Sequence, residues 1–263
     1  MTSRELSLSF KNISKLPNLP PSLHTLWCNS NQLIILPDLP ISLQKLYCYF
    51  NNLTFLPDLP ISLICLNCTN NHLTSIPNLP VSLQEFYCNG NHLTELPNLP
   101  NSLISFDCSS NNLSSIPNLP ISLLYLYCSH NQLKKLPYLP ISIQELNCFN
   151  NHLTSLPNIP KNLYFINCSN NPLERLPFPT GNEHPNLEII TNKTKFISFL
   201  GVQYDLLDWD DWKKFFYLIK TGVVIVNRIK SLQNIIKRRY SHPNHPLAIK
   251  KSNELFELFS KSV

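Results

Sequence analysis

Hydrophobic and polar positions recur along this chain with a period of 20 residues. The stretch 42–61, SLQKLYCYFNNLTFLPDLPI, returns almost unbroken as the pattern S-L-x-x-L-x-C-x-x-N-x-L-x-x-L-P-x-L-P-x. Self-similarity at a fixed period of this size is typical of repeat architectures, in which each unit stacks on the next. The pattern therefore predicts a solenoid, in which one coil is built from each repeat.

Each coil is predicted to contribute one short β-strand. In the segment L-x-C, apolar and variable residues alternate, which is the period of a half-buried strand. Identical strands one period apart can stack as a parallel ladder. The inward cysteine column consists of Cys28, Cys48, Cys68, Cys88, Cys108, Cys128, Cys148 and Cys168.

An asparagine follows three residues after each of these cysteines. The asparagine column consists of Asn31, Asn51, Asn71, Asn91, Asn111, Asn131, Asn151 and Asn171. An amide side chain can donate to and accept from the backbone groups that a turn leaves unpaired. Stacked coils are therefore expected to align these amides in a ladder, and a buried ladder is costly to break in part.

The return side of each coil is the block L-P-x-L-P. Each proline lacks an N–H group and pushes the preceding residue toward an extended conformation. The return limb is therefore expected to be extended and narrow. The P-x-x-P spacing, as at Pro37 and Pro40, also occurs in ligands of proline-recognising domains, but here the intervening leucines are expected to be buried.

The repeat pattern, over about residues 3–180, resembles the leucine-rich repeat. It is similar to the short, proline-marked class found in bacterial type III effectors and in repeat proteins of large DNA viruses. Cysteine stands where that effector class often has valine or leucine. The resemblance implies an α/β-type solenoid with a parallel strand ladder and an extended, non-helical convex side.

Two regions are expected. Residues 1–182 hold a degenerate first repeat, which suits a terminal cap, and eight regular repeats. Residues 183–263 lose the period and are expected to form a small helical, basic cap region. Helices are predicted there by capping and apolar-spacing signals over 209–220, 223–239 and 253–261.

Cysteine usage and the N-terminus favour an intracellular, cytoplasmic protein, located in the host cell if it is viral or an effector. Eight of the nine cysteines sit at the inward strand position, where a free thiol behaves as a small hydrophobe. The ninth, Cys65, falls on a variable position. The sequence MTSRELSLSF has no apolar core of a signal peptide, and no apolar run of about 18 residues predicts a membrane span.

The variable residues beside L-x-C are expected to point into the inner curve of the solenoid. Aromatic side chains are frequent there, and they bury large areas with few rotatable bonds. The residues predicted to bind a partner are Trp27, Tyr47, Tyr49, Phe50, Tyr87, Tyr125, Tyr127, Phe149 and Phe165. The alternative is that aromatic residues are present only because they suit strands and stack along the ladder. Leucine-rich repeat proteins mostly bind protein through this face, which the resemblance implies.

Net charge is concentrated in the C-terminal region. The chain carries +5 overall, and all of it falls after residue 180. The basic residues considered for nucleic acid or an anionic membrane surface are Arg228, Lys230, Lys237, Arg238, Arg239, Lys250 and Lys251. The alternative is a solvated basic face on a helical cap, whose apolar face covers the last coil.

No catalytic, metal or cofactor motif is found. A glycine-rich phosphate loop and a G-x-S-x-G sequence are both missing. His72, His92 and His152 share one repeat position, but a metal site needs three or four converging ligands. Effectors with similar repeats often carry a ubiquitin-ligase domain with a catalytic cysteine, whereas no cysteine follows Cys168 here.

The sequence thus predicts a non-enzymatic protein–protein interaction module that binds a protein partner, a host protein if this is an effector, on its concave face. No small-molecule substrate is expected. The alternative is an adaptor that binds nucleic acid or an anionic membrane surface through the basic C-terminal helices.

Overall fold

The structure is a computed structural model. It describes residues 4–173 and three later strands at 188–190, 195–199 and 202–205. The chain divides into two compact units, Met1–Tyr204 and Asp205–Val263. The three predicted helices fall in the second unit and lie outside the described residues, as do the basic residues of that region.

Nine parallel strands, one per repeat, form the spine of the first unit. Each is three residues long, and corresponding residues pair directly, so that Leu26 lies opposite Leu46 and Leu46 opposite Leu66. The strands are β1 (Glu5–Ser7), β2 (Thr25–Trp27), β3 (Lys45–Tyr47), β4 (Cys65–Asn67), β5 (Glu85–Tyr87), β6 (Ser105–Asp107), β7 (Tyr125–Tyr127), β8 (Glu145–Asn147) and β9 (Phe165–Asn167). The predicted parallel ladder is confirmed.

Three further strands follow β9 in the same sheet, in chain order. They are β10 (Glu188–Ile190), β11 (Lys195–Phe199) and β12 (Val202–Asp205). The strand β10 runs parallel to β9, and β11 runs antiparallel to β10. The residue pattern does not predict these strands, because they fall outside the 20-residue period. Their β-branched and aromatic residues suit strands, but a single short run of this kind is not distinctive.

The core runs along the axis of the stack. Leu46, the central residue of β3, is fully buried, and Phe86 and Phe106 stack inside the core with ring centroids 5.4 Å apart. On the return limb, Leu36 is buried and Leu39 is half-buried against the core. No residue of 4–173 is helical, so the extended return limb is confirmed. The leucine between the two prolines of each P-x-x-P, such as Leu39, packs against the core but is only half-buried, so its predicted burial is met in part. The described residues contain no helix long and apolar enough to cross a bilayer.

The asparagine amides join each coil to the one before it. Asn91 Oδ1 accepts a hydrogen bond from the N–H of Leu73 at 3.0 Å. Its Nδ2 donates to the carbonyls of Cys68 at 3.1 Å and Cys88 at 3.0 Å. The same three bonds recur at Asn51, Asn71, Asn111, Asn131, Asn151 and Asn171. The predicted ladder is confirmed, and each amide satisfies three backbone groups in two coils.

A second ladder, of serine hydroxyls, lies before the strands. Ser82 Oγ donates to the carbonyls of Ile61 at 2.6 Å and Leu63 at 2.7 Å in the preceding coil. In the last described repeat Asn162 replaces the serine, and its amide reaches the carbonyl of Ile141 at 2.9 Å. From Ser42 to Ser142 the serine of the repeat is therefore a structural residue that links consecutive coils.

All nine cysteines are free and buried. Burial raises the pKa of the Cys28, Cys68 and Cys168 thiols to about 12. Burial likewise raises the pKa of the other inward thiols well above the ordinary value of 9.0; these are Cys48, Cys88, Cys108, Cys128 and Cys148. The column is therefore held as neutral thiols.

Replacing one ladder asparagine should destabilise the solenoid strongly. Asn91→Ala leaves the buried Leu73 N–H without its partner, which costs about 1–3 kcal/mol. It also removes one of the two amide donors from the Cys68 and Cys88 carbonyls, which keep their bonds to Asn71 and Asn111. We expect the free energy of unfolding to fall by about 2 kcal/mol or more, as measured by urea denaturation followed by circular dichroism. Asn98→Ala, at an exposed position, is the matched control and should change it by less than about 0.5 kcal/mol. Equal losses in both variants would contradict the ladder's role.

The thiol column should make the protein unfold in mild alkali. Because the folded-state pKa values lie above the unfolded value of 9.0, stability is fully present below pH 9 and is lost above it. At about pH 10, each thiol kept neutral costs about 1.4 kcal/mol, so eight of them cost on the order of 10 kcal/mol, comparable to the stability of a typical domain. We expect cooperative, reversible loss of circular dichroism between about pH 9 and 10.5. An unfolding free energy that stays constant over this range would contradict the expectation.

Candidate functional site

The outward side chains of the ladder form one continuous surface, which we call the strand face. It consists of the first and third residues of β1–β9, the residue before each strand, and the two residues that follow the buried cysteine. In β3, for example, Leu46 is buried whereas Lys45 is exposed and Tyr47 is half-buried. Backbone hydrogen bonds continue past the strand, as from Phe50 N to the carbonyl of Thr69 at 2.9 Å. The strand face is therefore held by a regular hydrogen-bonded backbone.

Every aromatic residue predicted as a binding residue lies on this face. Phe50 is exposed, with 54% of its surface accessible. The half-buried residues are Trp27, Tyr47, Tyr49, Tyr87, Tyr125, Tyr127, Phe149 and Phe165. Each therefore keeps accessible surface while its position is restricted by neighbouring coils.

Stacking along the ladder accounts for only part of this aromatic row. Trp27 and Tyr47, on neighbouring strands, stack with centroids 6.0 Å apart and an interplanar angle of 5°. In the same column Asn67 and Asp107 flank Tyr87, so the stack does not continue across β4 and β6. The alternative, that the aromatic residues are present only because they stack along the ladder, therefore suits Trp27 and Tyr47 better than Tyr87 and Tyr127.

Phe50 occupies an unfavourable backbone conformation. Its φ is 52°, in the left-handed region, where a bulky side chain is uncommon. The equivalent residue of other coils is often asparagine or glycine, as at Asn70 and Gly90, and at Gly90 an added Cβ would lie 2.1 Å from Asn70 Oδ1. An exposed phenylalanine is thus kept at a position that favours smaller residues, which is a feature of functional surfaces.

Glu85 lies in a first polar cluster near the middle of the face. Cys65 Sγ and the Tyr87 hydroxyl each lie 3.5 Å from Glu85 Oε2, within donating distance. Tyr47 also interacts with the Cys65 thiol, and burial together with this contact raises the pKa of Tyr47. Cys65, at a variable position of the repeat, is only 2% exposed. Burial raises the pKa of its thiol to about 12.

Glu145 lies in a second cluster toward the end of the described ladder, which we call the Glu145 cluster: Tyr125, Tyr127, Glu145, Tyr164 and Phe165. The Tyr127 hydroxyl donates to Glu145 Oε2 at 2.7 Å, and the Tyr164 hydroxyl donates to Oε1. The hydrogen bond to the carboxylate raises the pKa of Tyr164 to about 12. On the neighbouring strands, Tyr125 and Phe165 lie directly opposite Glu145. One carboxylate therefore accepts hydrogen bonds from two tyrosines, and aromatic residues occupy the register positions on both sides of it.

The strand triplets of β1–β9 are acidic. They contain Glu5, Glu85, Asp107 and Glu145, against one base, Lys45. Asp107 is half-buried, and this burial raises the pKa of its carboxyl group although the Ser109 N–H donates to it at 2.9 Å. The repeat region as a whole is neutral, so this face is more acidic than the surface around it.

Glu85, Glu145, Cys65 and Tyr164 were not identified from the sequence. Cys65 and the two glutamates hold the first strand position, and Tyr164 precedes β9. The repeat shows which residues share a column. It does not show which side chains reach diagonally across strands, as Tyr127 does to Glu145. A search for carboxylates in columns beside tyrosines would have found both clusters.

Histidines form no metal site in the part of the chain that the structure describes. His72 and His92 stack with ring centroids 5.6 Å apart. Within residues 4–173, no group of three or more His, Cys, Asp or Glu residues is placed to hold a metal ion. The basic residues proposed for the alternative function, Arg228, Lys230, Lys237, Arg238 and Arg239, lie outside the described residues.

No protein-family model matches the chain, and no curated protein sequence matches it. Solved structures do match. YopM from Yersinia enterocolitica is 38% identical over 68% of this chain, with a TM-score of 0.65, and the match covers 39% of that protein. YopM from Yersinia pestis, described as a leucine-rich effector protein, is 33% identical over 71% of this chain, with a TM-score of 0.51, and the match covers 65% of it.

This chain thus spans less than two thirds of the length of both YopM structures. In this chain the residues that carry the 20-residue repeat form the parallel strand ladder. The chain is therefore a leucine-rich repeat protein, and its repeats are of the type found in bacterial effectors.

Proposed function

We propose that this chain is a protein-interaction module that binds a protein partner on the strand face. The observation that carries the proposal is the row of accessible aromatic side chains on β2–β9. Aromatic residues that bury a large area with few rotatable bonds dominate the energetics of protein interfaces. The row extends over most of the described ladder, so it offers several anchors to one extended partner.

The rigidity of the ladder supports this proposal. Each outward side chain belongs to a strand that backbone hydrogen bonds and asparagine amides hold against the neighbouring coils. A surface that is already ordered loses less conformational entropy when it binds. The half-buried tyrosines are thus presented in restricted positions before the partner arrives.

The proposed function is non-enzymatic. A nucleophilic cysteine needs a lowered pKa and some exposure, whereas burial raises the pKa of Cys65, the one cysteine on the strand face, to about 12. The carboxylates Glu85 and Glu145 are engaged by tyrosine hydroxyls. These features favour a recognition surface over a reaction centre.

The similarity to YopM, a leucine-rich effector protein, supports a partner from a host cell. We therefore propose that the chain acts inside the host cell, where free thiols persist. Binding of nucleic acid or an anionic membrane surface through the basic C-terminal residues remains the alternative, and salt distinguishes the two. Binding to phosphates weakens steeply as salt rises, whereas an aromatic interface does not.

Removing aromatic anchors should abolish partner capture. The full chain is immobilised and exposed to host-cell lysate at low and high salt, and retained proteins are quantified by mass spectrometry and then tested as purified proteins. We expect the variant Trp27→Ala/Tyr47→Ala/Tyr87→Ala to bind the direct partner about tenfold or more weakly, because each buried anchor contributes at least about 1 kcal/mol. Thermal unfolding checks that the variant is folded.

Tyr138→Ala is the matched control, since Tyr138 is 90% exposed and lies on the return limb. It should bind the partner as the unaltered chain does. Capture that is unaffected by the triple substitution, and that is lost at high salt, would overturn the proposal and favour the basic C-terminal region.

The strained position of Phe50 gives a separate prediction. Phe50→Asn should raise the free energy of unfolding by about 0.5–1 kcal/mol, because asparagine tolerates the left-handed conformation, and should weaken partner binding. Urea denaturation and a binding titration measure the two effects. Phe55→Asn is the control, since Phe55 is similarly exposed at 50% but has no positive φ. If Phe50→Asn lowers the free energy of unfolding as much as Phe55→Asn does, Phe50 is retained for packing and the prediction is wrong.

A further inference from the structure

We propose that the Glu145 cluster receives an arginine side chain of the protein partner. The inference rests on the proposed function and adds to it the chemistry of one contact. It assigns Glu145 as the anion that pairs with the guanidinium, and the surrounding rings as the surface on which the guanidinium stacks.

The position of Glu145 in the ladder places rings on both sides of it. Tyr125 of β7 and Phe165 of β9 are its direct register partners, and adjacent strands lie about 4.8 Å apart. Tyr164 is 43% exposed, and the other members of the cluster are half-buried. The carboxylate is therefore accessible from outside while its lateral neighbours are aromatic.

The carboxylate is oriented but not saturated. Tyr127 donates to one oxygen and Tyr164 to the other, so both oxygens are held in place. A carboxylate offers about four lone-pair sites, and these two bonds occupy two of them. The remaining sites can accept the paired N–H groups of a guanidinium, which bind a carboxylate in a bidentate manner.

No charge within the neighbouring strands serves as a counterion. The triplets of β4–β9 contain no lysine or arginine, and Lys45 lies on β3, five strands from Glu145. A cation from a partner would thus meet no competing cation from these strand triplets. Aromatic ring faces also attract cations, because the ring quadrupole is negative at the face.

Arginine suits the cluster better than lysine. The guanidinium is planar, stacks on aromatic faces and presents a fork of donors, whereas an ammonium is a compact and strongly hydrated charge. Glu85 is a less suitable site, because its register partners are Cys65 and Ser105 instead of rings. The two clusters therefore differ in a way that selects Glu145.

The test uses the full chain and two short probes. One is the peptide Ac-Gly-Arg-Gly-amide, and the other replaces arginine by citrulline, which has a similar shape but no charge. Backbone amide shifts of isotopically labelled protein are followed by NMR to about 10 mM peptide, a range that detects millimolar affinities. We expect shifts to centre on the amides of Tyr125, Glu145 and Phe165 with the arginine peptide.

Variants then separate charge from shape. Glu145→Gln keeps the size of the side chain, and we expect it to weaken arginine-peptide binding about fivefold or more. Phe165→Leu keeps an apolar side chain but removes the ring face, and we expect about two- to fivefold weaker binding. Glu95→Gln, an exposed glutamate on the return limb, is the control and should not change the dissociation constant. Thermal unfolding establishes that each variant is folded.

Three results would overturn the inference. The unaltered chain could bind the citrulline peptide as tightly as the arginine peptide, it could show no detectable binding of the arginine peptide, or Glu145→Gln could bind the arginine peptide as tightly as the unaltered chain does. Any of these results would mean that the tyrosine hydroxyls stabilise the Glu145 carboxylate within the fold and do not prepare it for a cation. Failure here leaves the proposed function standing if the triple substitution at Trp27, Tyr47 and Tyr87 still abolishes partner capture. Conversely, if arginine binds at Glu145 while that substitution has no effect, the proposed interface over β2–β5 is wrong.

Discussion

The hydrogen bonds of one buried amide hold consecutive coils together. Each ladder asparagine accepts from a leucine N–H of the preceding coil and donates to cysteine carbonyls in both coils, as Asn91 does to Leu73, Cys68 and Cys88. These backbone groups lie where the chain leaves the strand, so no β-ladder partner is available to them. Because a buried unpaired group is costly, the amide makes the turn possible and fixes the spacing of the stack.

The compact turn lets the coil close in 20 residues, and this has consequences for the surface. A proline-marked return limb needs no helix, so within residues 4–173 extended chain covers one side of the ladder and leaves the other side open. The first and third residues of each strand therefore project from a fixed backbone at regular spacing. Acidic and aromatic side chains on that open side, among them Glu145 and its tyrosine partners, become a surface that is ordered without a ligand.

The sequence was sufficient to predict the structural features that recur in every 20-residue repeat. The inward cysteines, the asparagine ladder and the extended limb follow from columns alone. The aromatic residues lie on the outward side of the strands, as expected from their columns, and their role in binding stays a prediction. The contacts of Glu145 were not predictable in this way, because Tyr127 and Tyr164 reach it across strands and side-chain direction is not encoded in a column. Burial of Cys65 was missed for a similar reason, since Tyr47 and Glu85 from neighbouring coils interact with it. The strands β10–β12 lie outside the period.

Hydroxyl-radical footprinting of the full chain, free and bound to its purified partner, tests the central claim most directly. It reports the accessibility of natural aromatic side chains and needs no substitution. If the partner occupies the strand face, oxidation of Trp27, Tyr47, Tyr87 and Tyr127 should fall on binding, while oxidation of Tyr138 on the return limb stays unchanged. Protection of Tyr138 with undiminished oxidation of the strand-face residues would contradict a partner bound on that face.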